Sequence, residues 1–340
     1  MKITQEDHSN IRGGHAPFEP IELDDKAGYF SNNMEHLHAL EHEAKIRLLV
    51  AYMKSTGKIS EGCNFWFLNL CEGQITIDDL DALLDNVQAE NKLKAKNTAA
   101  VGIGLNFERL FRVYNLNDYE RIIVMLLLFN NISAAFRRLY RQYAAIMRVN
   151  GSAMNIETLL SIIGSDYCGH LELRKYFNME SRLIKEDIIL LDKRSERTDV
   201  MDTVVYLHER IVSFITGDNN YNTAMRYISR ERNEISIDKV VMPDKLKEDV
   251  LKLAENYINN RQERESLGID KFYSYGTGLV FMFYGPSGTG KTMLAHALAT
   301  RLNKPILSMN IGSFLGAGAD GPAGSFKEAI DYIFKEARLT

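Results

Sequence analysis

The hydrophobic positions in the first hundred residues recur with the period of a helix. From Met34, apolar residues follow a helical face, which predicts a helix to about Lys54. Residues 75–80 lead into a second helical pattern that fades in the polar stretch from Gln88 to Asn97. Polar stretches of this kind are typical of linkers, so we place a linker there.

The block from about 99 to 218 is also mostly helical in pattern. Asn117, with Glu120 three residues on, predicts a capping box in front of the apolar run 122–129. Short apolar runs within 183–192 predict two strands, at 183–184 and 188–192. A polar turn then marks the end of this block, and a charged connector follows at 221–236.

A different pattern appears near residue 280. The continuous apolar run 279–284 has strand length and predicts a parallel strand buried on both faces. The run 293–299 is rich in strong helix formers and lacks Gly and Pro, so it predicts a helix. A strand followed by a glycine-rich loop and a helix is the setting of a phosphate-binding loop.

The loop between them matches the phosphate-loop pattern G-x-x-x-x-G-K-[ST] at every fixed position. It consists of Gly285, Pro286, Ser287, Gly288, Thr289, Gly290, Lys291 and Thr292. Glycines let the backbone turn sharply and aim successive N–H groups at a polyanion. Lys291 is predicted to reach the β- and γ-phosphates, and the Thr292 hydroxyl to be a ligand of the bridging Mg²⁺. The alternative is a structural glycine turn, which the flanking strand and helix patterns disfavour.

Composition and charge narrow the class of protein. The 340 residues are 45% hydrophobic and 25% charged, which is ordinary for a soluble chain of two or three domains. A net charge of −4 makes nucleic acid an unlikely partner and gives no sign of membrane binding. The apolar run 122–129 is far shorter than the ~20 residues that cross a bilayer, and the N-terminus lacks a secretory signal. Three scattered cysteines favour a reducing cytoplasm.

Three other features have a plainer explanation than a functional site. The aromatic run 65–70 is interpreted as core, with a docking surface as the alternative. The arginines at 137, 138, 141 and 148 could belong to a nucleic-acid-binding helix, but a solvated face is favoured. Cys168 and His170 lack a second metal-ligand pair with zinc-like spacing.

A family resemblance extends over 237–310. The segment 240–244, a predicted helix to about Asn259, the segment 275–278 and the phosphate loop together resemble the start of an AAA+ ATPase module. The resemblance implies ATP or ADP with Mg²⁺ as cofactors. In that family the segment before the first helix lies near the adenine, which implicates Val240 and Val241 in cofactor binding. Met293 completes the predicted nucleotide-binding set.

Weaker similarity lies upstream. The segments 116–121, 156–160 and 207–214 resemble landmarks of bacterial AAA+ proteins with a helical, winged-helix-like N-terminal domain. The predicted fold is therefore multidomain, a mostly α-helical N-terminal region followed by the start of an α/β P-loop module. The expected divisions are a poorly ordered arm at 1–30, a helical region at 31–98, a winged-helix-like domain at 99–236 and the nucleotide-binding part at 237–340.

Two departures from the family pattern limit the comparison. The segment 312–324 is glycine-rich where the family has an aromatic pore loop, and only Phe314 and Leu315 could grip a threaded polypeptide. In the family, a strand carrying the Mg²⁺-coordinating Asp and the catalytic Glu comes next. The sequence after Thr292 ends, with a predicted helix at 325–338, before such a strand. We therefore expect a longer protein of which this is the N-terminal part.

The leading hypothesis is a cytoplasmic AAA+ ATPase. In its full-length form it would act as a homo-oligomeric ring, a hexamer, and couple ATP hydrolysis to the remodelling of a protein partner or assembly. The chain alone is expected to bind nucleotide without efficient turnover. The alternatives are a nucleic-acid-associated AAA+ ATPase and a nucleotide-binding adaptor without hydrolysis.

Overall fold

A computed structural model describes most of the chain. The described residues are 28–57, 76–149, 153–164, 167–192, 199–218, 228–231, 234–260, 279–310, 312 and 326–339. Predictions for the aromatic run 65–70, the segment 275–278, Phe314, Leu315 and the helix start at Ser325 lie outside these residues. The chain divides into two compact units after Asn222, and each is described by itself.

The first unit is mainly helical. Its helices are α1 (Asn33–Thr56), α2 (Ile77–Ala100), α3 (Asn106–Tyr114), α4 (Asp118–Ile132), α5 (Ala134–Ile146), α6 (Ile156–Ile163), α7 (Tyr167–Leu173), α8 (Arg182–Lys185) and α9 (Glu209–Thr216). A 3₁₀ turn at Arg174–Phe177 follows α7, and the strands are β1 (Ile189–Asp192) and β2 (Val204–Leu207).

Helix α1 begins and ends at local capping signals. The Asn32 side chain accepts a hydrogen bond from the Glu35 N–H, and Gly57 stops the helix with φ 72°, donating its N–H to the Met53 carbonyl at 2.8 Å. A positive φ at this position is the usual use of glycine after a helix. The prediction of a helix to about Lys54 is confirmed.

Helix α4 lies at the centre of the core of the first unit. Every side chain from Ile123 to Phe129 is buried, and α1, α5, α6 and β2 pack around it. The predicted capping box is present, because Asn117 accepts from the Glu120 N–H at 3.0 Å and its own N–H donates to the Glu120 carboxylate at 2.8 Å. A helix that is apolar on all sides belongs in the interior of a fold.

The linker predicted at 88–97 is wrong, because α2 continues through this stretch to Ala100. The polar residues Asn91 and Asn97 of this stretch, and Thr98 just after it, are buried. Asn91 donates to the Glu43 carboxylate at 3.0 Å, and the Thr98 hydroxyl accepts from the Phe30 N–H at 2.9 Å. Helix α1 packs with α2 and also with α4, α5 and α6. The first compact unit extends to Asn222, and the expected domain divisions after 98 and 236 stay predictions.

The second half of this unit has a small antiparallel sheet beside short helices. Strands β1 and β2 pair in the register Ile189↔Leu207, and Asn155 bridges Val204 on the other side of β2. The strand prediction at 188–192 is confirmed. The one at 183–184 is wrong, because Leu183 lies buried in α8, whose N-cap is Ser181. The order of elements is the one expected of a winged-helix domain. Helix α5 is followed by the bridging residue Asn155, then by the short helices α6 to α8, and then by the two-stranded sheet of β1 and β2.

The second unit contains three helices and two strands among the described residues. They are β3 (Ile228–Glu231), α10 (Asp244–Asn259), α11 (Lys291–Arg301), β4 (Ile306–Met309) and α12 (Phe326–Leu339), with a 3₁₀ turn at Ile237–Lys239. The helix predictions for 293–299 and to Asn259 are confirmed. Strand β4 pairs with β3, which lies in the expected connector, and the pairing is antiparallel with Ile228 opposite Met309.

The run 279–284 differs from its prediction. It is not a strand of the described sheets, and only alternate side chains are partly buried. Val280, Met282 and Tyr284 are 80%, 85% and 89% exposed, whereas Phe281 and Phe283 pack on the core with their rings stacked 6.0 Å apart. The alternation has the period of two of an extended backbone, although none of the described strands pairs with this run.

Among the described residues, no single helix combines the length and apolar character of a membrane span. Helices α4 and α5 reach that length and composition only when taken together across a bend of 109°.

Candidate functional site

The predicted phosphate loop lies between the half-buried run 279–284 and α11. Its backbone has positive φ at three glycines, with 144° at Gly285, 82° at Gly288 and 81° at Gly290. A Cβ placed on Gly288 or Gly290 would meet nothing within 4 Å. Glycine is therefore required there by the backbone conformation rather than by crowding, and the space beside the loop is open.

Lys291 folds back over the loop. It is the first residue of α11, yet its ammonium group donates to the carbonyl oxygens of Gly285 at 3.0 Å and Pro286 at 2.6 Å. The Thr289 hydroxyl also donates to the Pro286 carbonyl, at 2.9 Å. These contacts bring the ends of the loop together around one positive charge.

The N-terminus of α11 adds a second source of positive potential. Its N-cap, Gly290, has no side chain with which to cap the first N–H groups, and the regular ladder starts with the Leu294 N–H donating to the Gly290 carbonyl at 2.8 Å. Uncapped N–H groups at a helix start favour anions. The exposed Thr292 side chain lies in this first turn, where its hydroxyl has the hard oxygen that Mg²⁺ prefers.

Helix α11 is anchored on a small core. Its buried face consists of Leu294, Ala297 and Leu298, and it packs with Val250 from α10 and with Val240. Arg301 at the end of α11 donates to Glu255 of α10 at 3.0 Å. The loop is thus carried by a helix whose apolar face is fixed.

The two valines predicted near the adenine have different environments. Val240 is 4% exposed and belongs to the core beneath α11, whereas Val241 is 98% exposed. Only the Val241 side chain of this pair is therefore accessible to a ligand. Met293 is half-buried and packs against the same core, so it offers a ligand its backbone rather than its side chain.

A cleft that the sequence did not predict lies at the other end of α11. It has a volume of about 580 Å³ and is lined by residues that include Thr300, Arg301 and Lys304 together with Glu234 and Asp238. It contains none of the predicted nucleotide-binding residues. Its walls come from segments distant in the chain, so no local motif could have indicated it.

The basic helix α5 has a structural use for one of its arginines. Arg137 donates to the carbonyl oxygens of Asn130 and Asn131 at the end of α4, while Arg138 and Arg141 are exposed. These positions favour the interpretation that the arginine-bearing face of α5 is a solvated face. Within the described part of the chain, no group of three His, Cys, Asp or Glu side chains is placed to hold a metal.

Comparison with known families gives one match mainly in the first unit and one in the second. Residues 22–229 match the family model "Winged helix domain, variant", and residues 281–339 match the model "ATPase family associated with various cellular activities (AAA)". The second match includes the phosphate loop and α11. No solved structure gives a significant match to the chain. The chain belongs to the winged helix domain, variant, family, and the AAA match in its second unit is consistent with an AAA+ ATPase.

Proposed function

We propose that this protein binds ATP–Mg²⁺ at residues 285–292 and, in its full-length form, couples ATP hydrolysis to the remodelling of a protein partner or assembly. The observation that carries the proposal is the loop itself. Positive φ angles at Gly288 and Gly290 shape an open turn, and the ammonium group of Lys291 lies over its first two carbonyl oxygens. A loop that combines a cation with a helix N-terminus suits the phosphate chain of ATP.

Each residue of the loop has a distinct role in the proposal. Lys291 exchanges its contacts with the loop carbonyls for contacts with the β- and γ-phosphates, since a triphosphate is the stronger acceptor. Backbone N–H groups of the loop and of the first turn of α11 hold the remaining phosphate oxygens. The Thr292 hydroxyl would hold Mg²⁺, which would supply positive charge to neutralise the phosphates. Val241 provides an exposed apolar side chain for the base.

The coupling to a partner follows from the family class. Enzymes of the AAA+ type use hydrolysis to change other proteins, and we assign partner recruitment to the winged-helix unit. In the proposal the protein assembles into a homo-oligomeric ring. It acts in the cytoplasm and releases ADP after each cycle of hydrolysis. The proposal assigns nucleotide binding without efficient turnover to the 340 residues taken alone.

The experiment is a Mg²⁺ titration of nucleotide binding with a fluorescent ATP analogue. We expect Mg²⁺ to tighten binding by the parent protein, Thr292→Ala to remove most of that Mg²⁺ dependence, and Thr292→Ser to restore it because the hydroxyl returns. Equal Mg²⁺ dependence in the parent and Thr292→Ala would contradict the metal role. No binding by the parent protein would refute the site as a whole.

A nucleic-acid-associated ATPase is the second candidate, and the winged-helix match is the observation that favours it. The net charge of −4 opposes it. Binding of a DNA duplex that weakens steeply as salt rises, through counterion release, would support this candidate. Salt-independent or undetectable binding would remove it.

A further inference from the structure

The first unit contains a groove that the proposed nucleotide site does not use. It has a volume of about 720 Å³ and lies between α2, the loop 101–105 and α3. Part of its floor is apolar, with Ala95 and Leu105 buried against Phe30. A volume of this size falls within the range of ligand-binding pockets.

The lining of the groove is positively charged. It carries the cations Lys92, Lys96, Arg109, Arg112 and Arg121 and the two carboxylates Glu108 and Asp118. Both carboxylates already form ion pairs within the lining, Glu108 with Arg121 at 2.6 Å and Asp118 with Lys92 at 3.2 Å. Lys96 and Arg112 have exposed side chains, as does Arg109, whose guanidinium group lies 5.8 Å from the centre of the Phe214 ring. The groove therefore favours an acidic ligand.

The described chain starts beside this groove. The Gly28 carbonyl accepts a hydrogen bond from the Asn97 side chain at 3.0 Å, and the Phe30 N–H donates to the Thr98 hydroxyl at 2.9 Å. Asn97 and Thr98 lie within one turn of α2 from Lys96. Whatever precedes Gly28 therefore leaves the fold within reach of the basic lining.

The sequence just before Gly28 is acidic apart from Lys26, which lies between the acidic residues and the described fold. Residues 18–25 contain four carboxylates, at Glu19, Glu22, Asp24 and Asp25, no lysine or arginine, and the apolar residues Phe18, Ile21 and Leu23. An extended chain spans about 3.3 Å per residue. Asp25 can thus lie up to about 10 Å from Gly28, and Phe18 up to about 33 Å.

We propose that the acidic segment 18–25 docks into this groove of its own chain. Its carboxylates pair with Lys96, Arg109 and Arg112, and its apolar side chains lie on the floor. Arginine forks suit carboxylates because they offer two parallel N–H groups. A short tether gives the segment an effective concentration in the millimolar range, so individually weak pairs are enough for occupancy. Any acidic partner of this groove must then compete with the protein's own segment.

The test is zero-length carbodiimide cross-linking of the full chain, which joins a carboxylate to a lysine amine in direct contact, followed by peptide mass spectrometry. We expect links from the carboxylates of 18–25 to Lys96. Arg112→Glu should lower their yield at least about fivefold, since it replaces an attraction with a repulsion of similar size. The matched control is Arg138→Glu, an exposed arginine on α5, which should leave the yield unchanged.

Other outcomes overturn the proposal. The absence of links to Lys96 would show that charge in the groove does not hold the segment. An unchanged yield of links in Arg112→Glu, at the parental melting temperature, would show the same. If Arg112→Glu melts early, Asp24→Asn with Asp25→Asn provides the second test, and an unchanged yield from Glu22 would overturn the proposal. Cross-linking a mixture of ¹⁴N- and ¹⁵N-labelled protein shows which copy of the chain contributes the acidic segment. Links between ¹⁴N and ¹⁵N peptides would mean that the segment of a second copy fills the groove.

Discussion

The guanidinium group of Arg121 holds both oxygens of the Glu108 carboxylate, at 2.8 Å and 2.6 Å. The His36 ring nitrogen Nε2 lies 3.2 Å from the same carboxylate. Burial alone would raise the pKa of Glu108, but the contacts with His36 and Arg121 outweigh it and hold the pKa at about 2. This pair joins α3 to α4 inside the first unit.

The first prediction concerns stability at acid pH. Because the pKa of Glu108 in the folded state is below that of a free glutamate, near 4.3, its contribution is complete above about pH 4.3 and is lost as the pH falls towards 2. Glu108→Gln should lower the free energy of unfolding at pH 7 by on the order of 2 kcal/mol. Urea unfolding from pH 7 to 3 should show a flatter acid limb for this variant.

Its control is Glu90→Gln, which removes an exposed carboxylate paired with Lys94 on α2. That variant should keep the parental acid limb. Parallel curves for the parent and Glu108→Gln below pH 5 would contradict the pKa assignment.

The second prediction concerns Arg210, a cation that is 1% exposed. Its guanidinium group donates to the Tyr114 hydroxyl at 3.0 Å and to the Glu186 carbonyl at 2.8 Å. Arg210→Lys should cost about 2 to 3 kcal/mol, because one ammonium group cannot reach both acceptors and stays buried. Denaturant unfolding measures the loss, and Arg141→Lys on the exposed face of α5 is the control. A loss equal to that of the control would refute the bridging role.

The third prediction concerns the folding unit. Leu40, Ala44 and Leu48 of α1 belong to the same core as α4. A fragment of residues 28–222 should therefore unfold cooperatively on heating, whereas a fragment of 99–222, which lacks α1, should not. Circular dichroism melts compare the two. A sharp transition from 99–222 would mean that α1 and α2 pack on a domain that is already complete.

These results show which features the sequence could reveal. Local signals predicted α1, the capping box of α4 and the loop before α11, because caps, glycines and helical spacing act over a few residues. The linker prediction failed because the burial of Asn91 and Thr98 depends on Glu43 and Phe30, which are distant in the chain. Polar residues look solvated until their partners are known.

The prediction for the run 279–284, before the loop, was wrong for a related reason. Its composition predicted burial on both faces, but Val280, Met282 and Tyr284 are exposed. Burial of a second face depends on neighbouring strands, which a local pattern does not specify. The antiparallel pairing of β3 with β4 joins segments about eighty residues apart, and it had no local signal.

The fourth prediction separates binding from turnover. Phosphoryl-transfer catalysis depends on groups that organise Mg²⁺ and water as well as on the loop. The proposal assigns binding without efficient turnover to the 340 residues, so they should hydrolyse ATP far below the ~1 to 100 s⁻¹ typical of kinases while still binding it. Phosphate release by purified protein measures the rate, with Lys291→Ala as the background for contaminating enzymes. Turnover within that range that Lys291→Ala abolishes would show that the chain already contains its catalytic carboxylates.

The central claim is that Lys291 and its loop hold a nucleotide, and titration calorimetry of ATP–Mg²⁺ tests it most directly. The Lys291 ammonium group lies on the loop carbonyl oxygens of Gly285 and Pro286, and it is the side-chain cation that the phosphate-loop pattern assigns to the phosphates. Lys291→Ala should abolish measurable binding, whereas Lys304→Ala, at an exposed lysine just beyond the other end of α11, should bind like the parent. Parental affinity in Lys291→Ala, with the fold intact, would contradict the assignment of this loop as the nucleotide site.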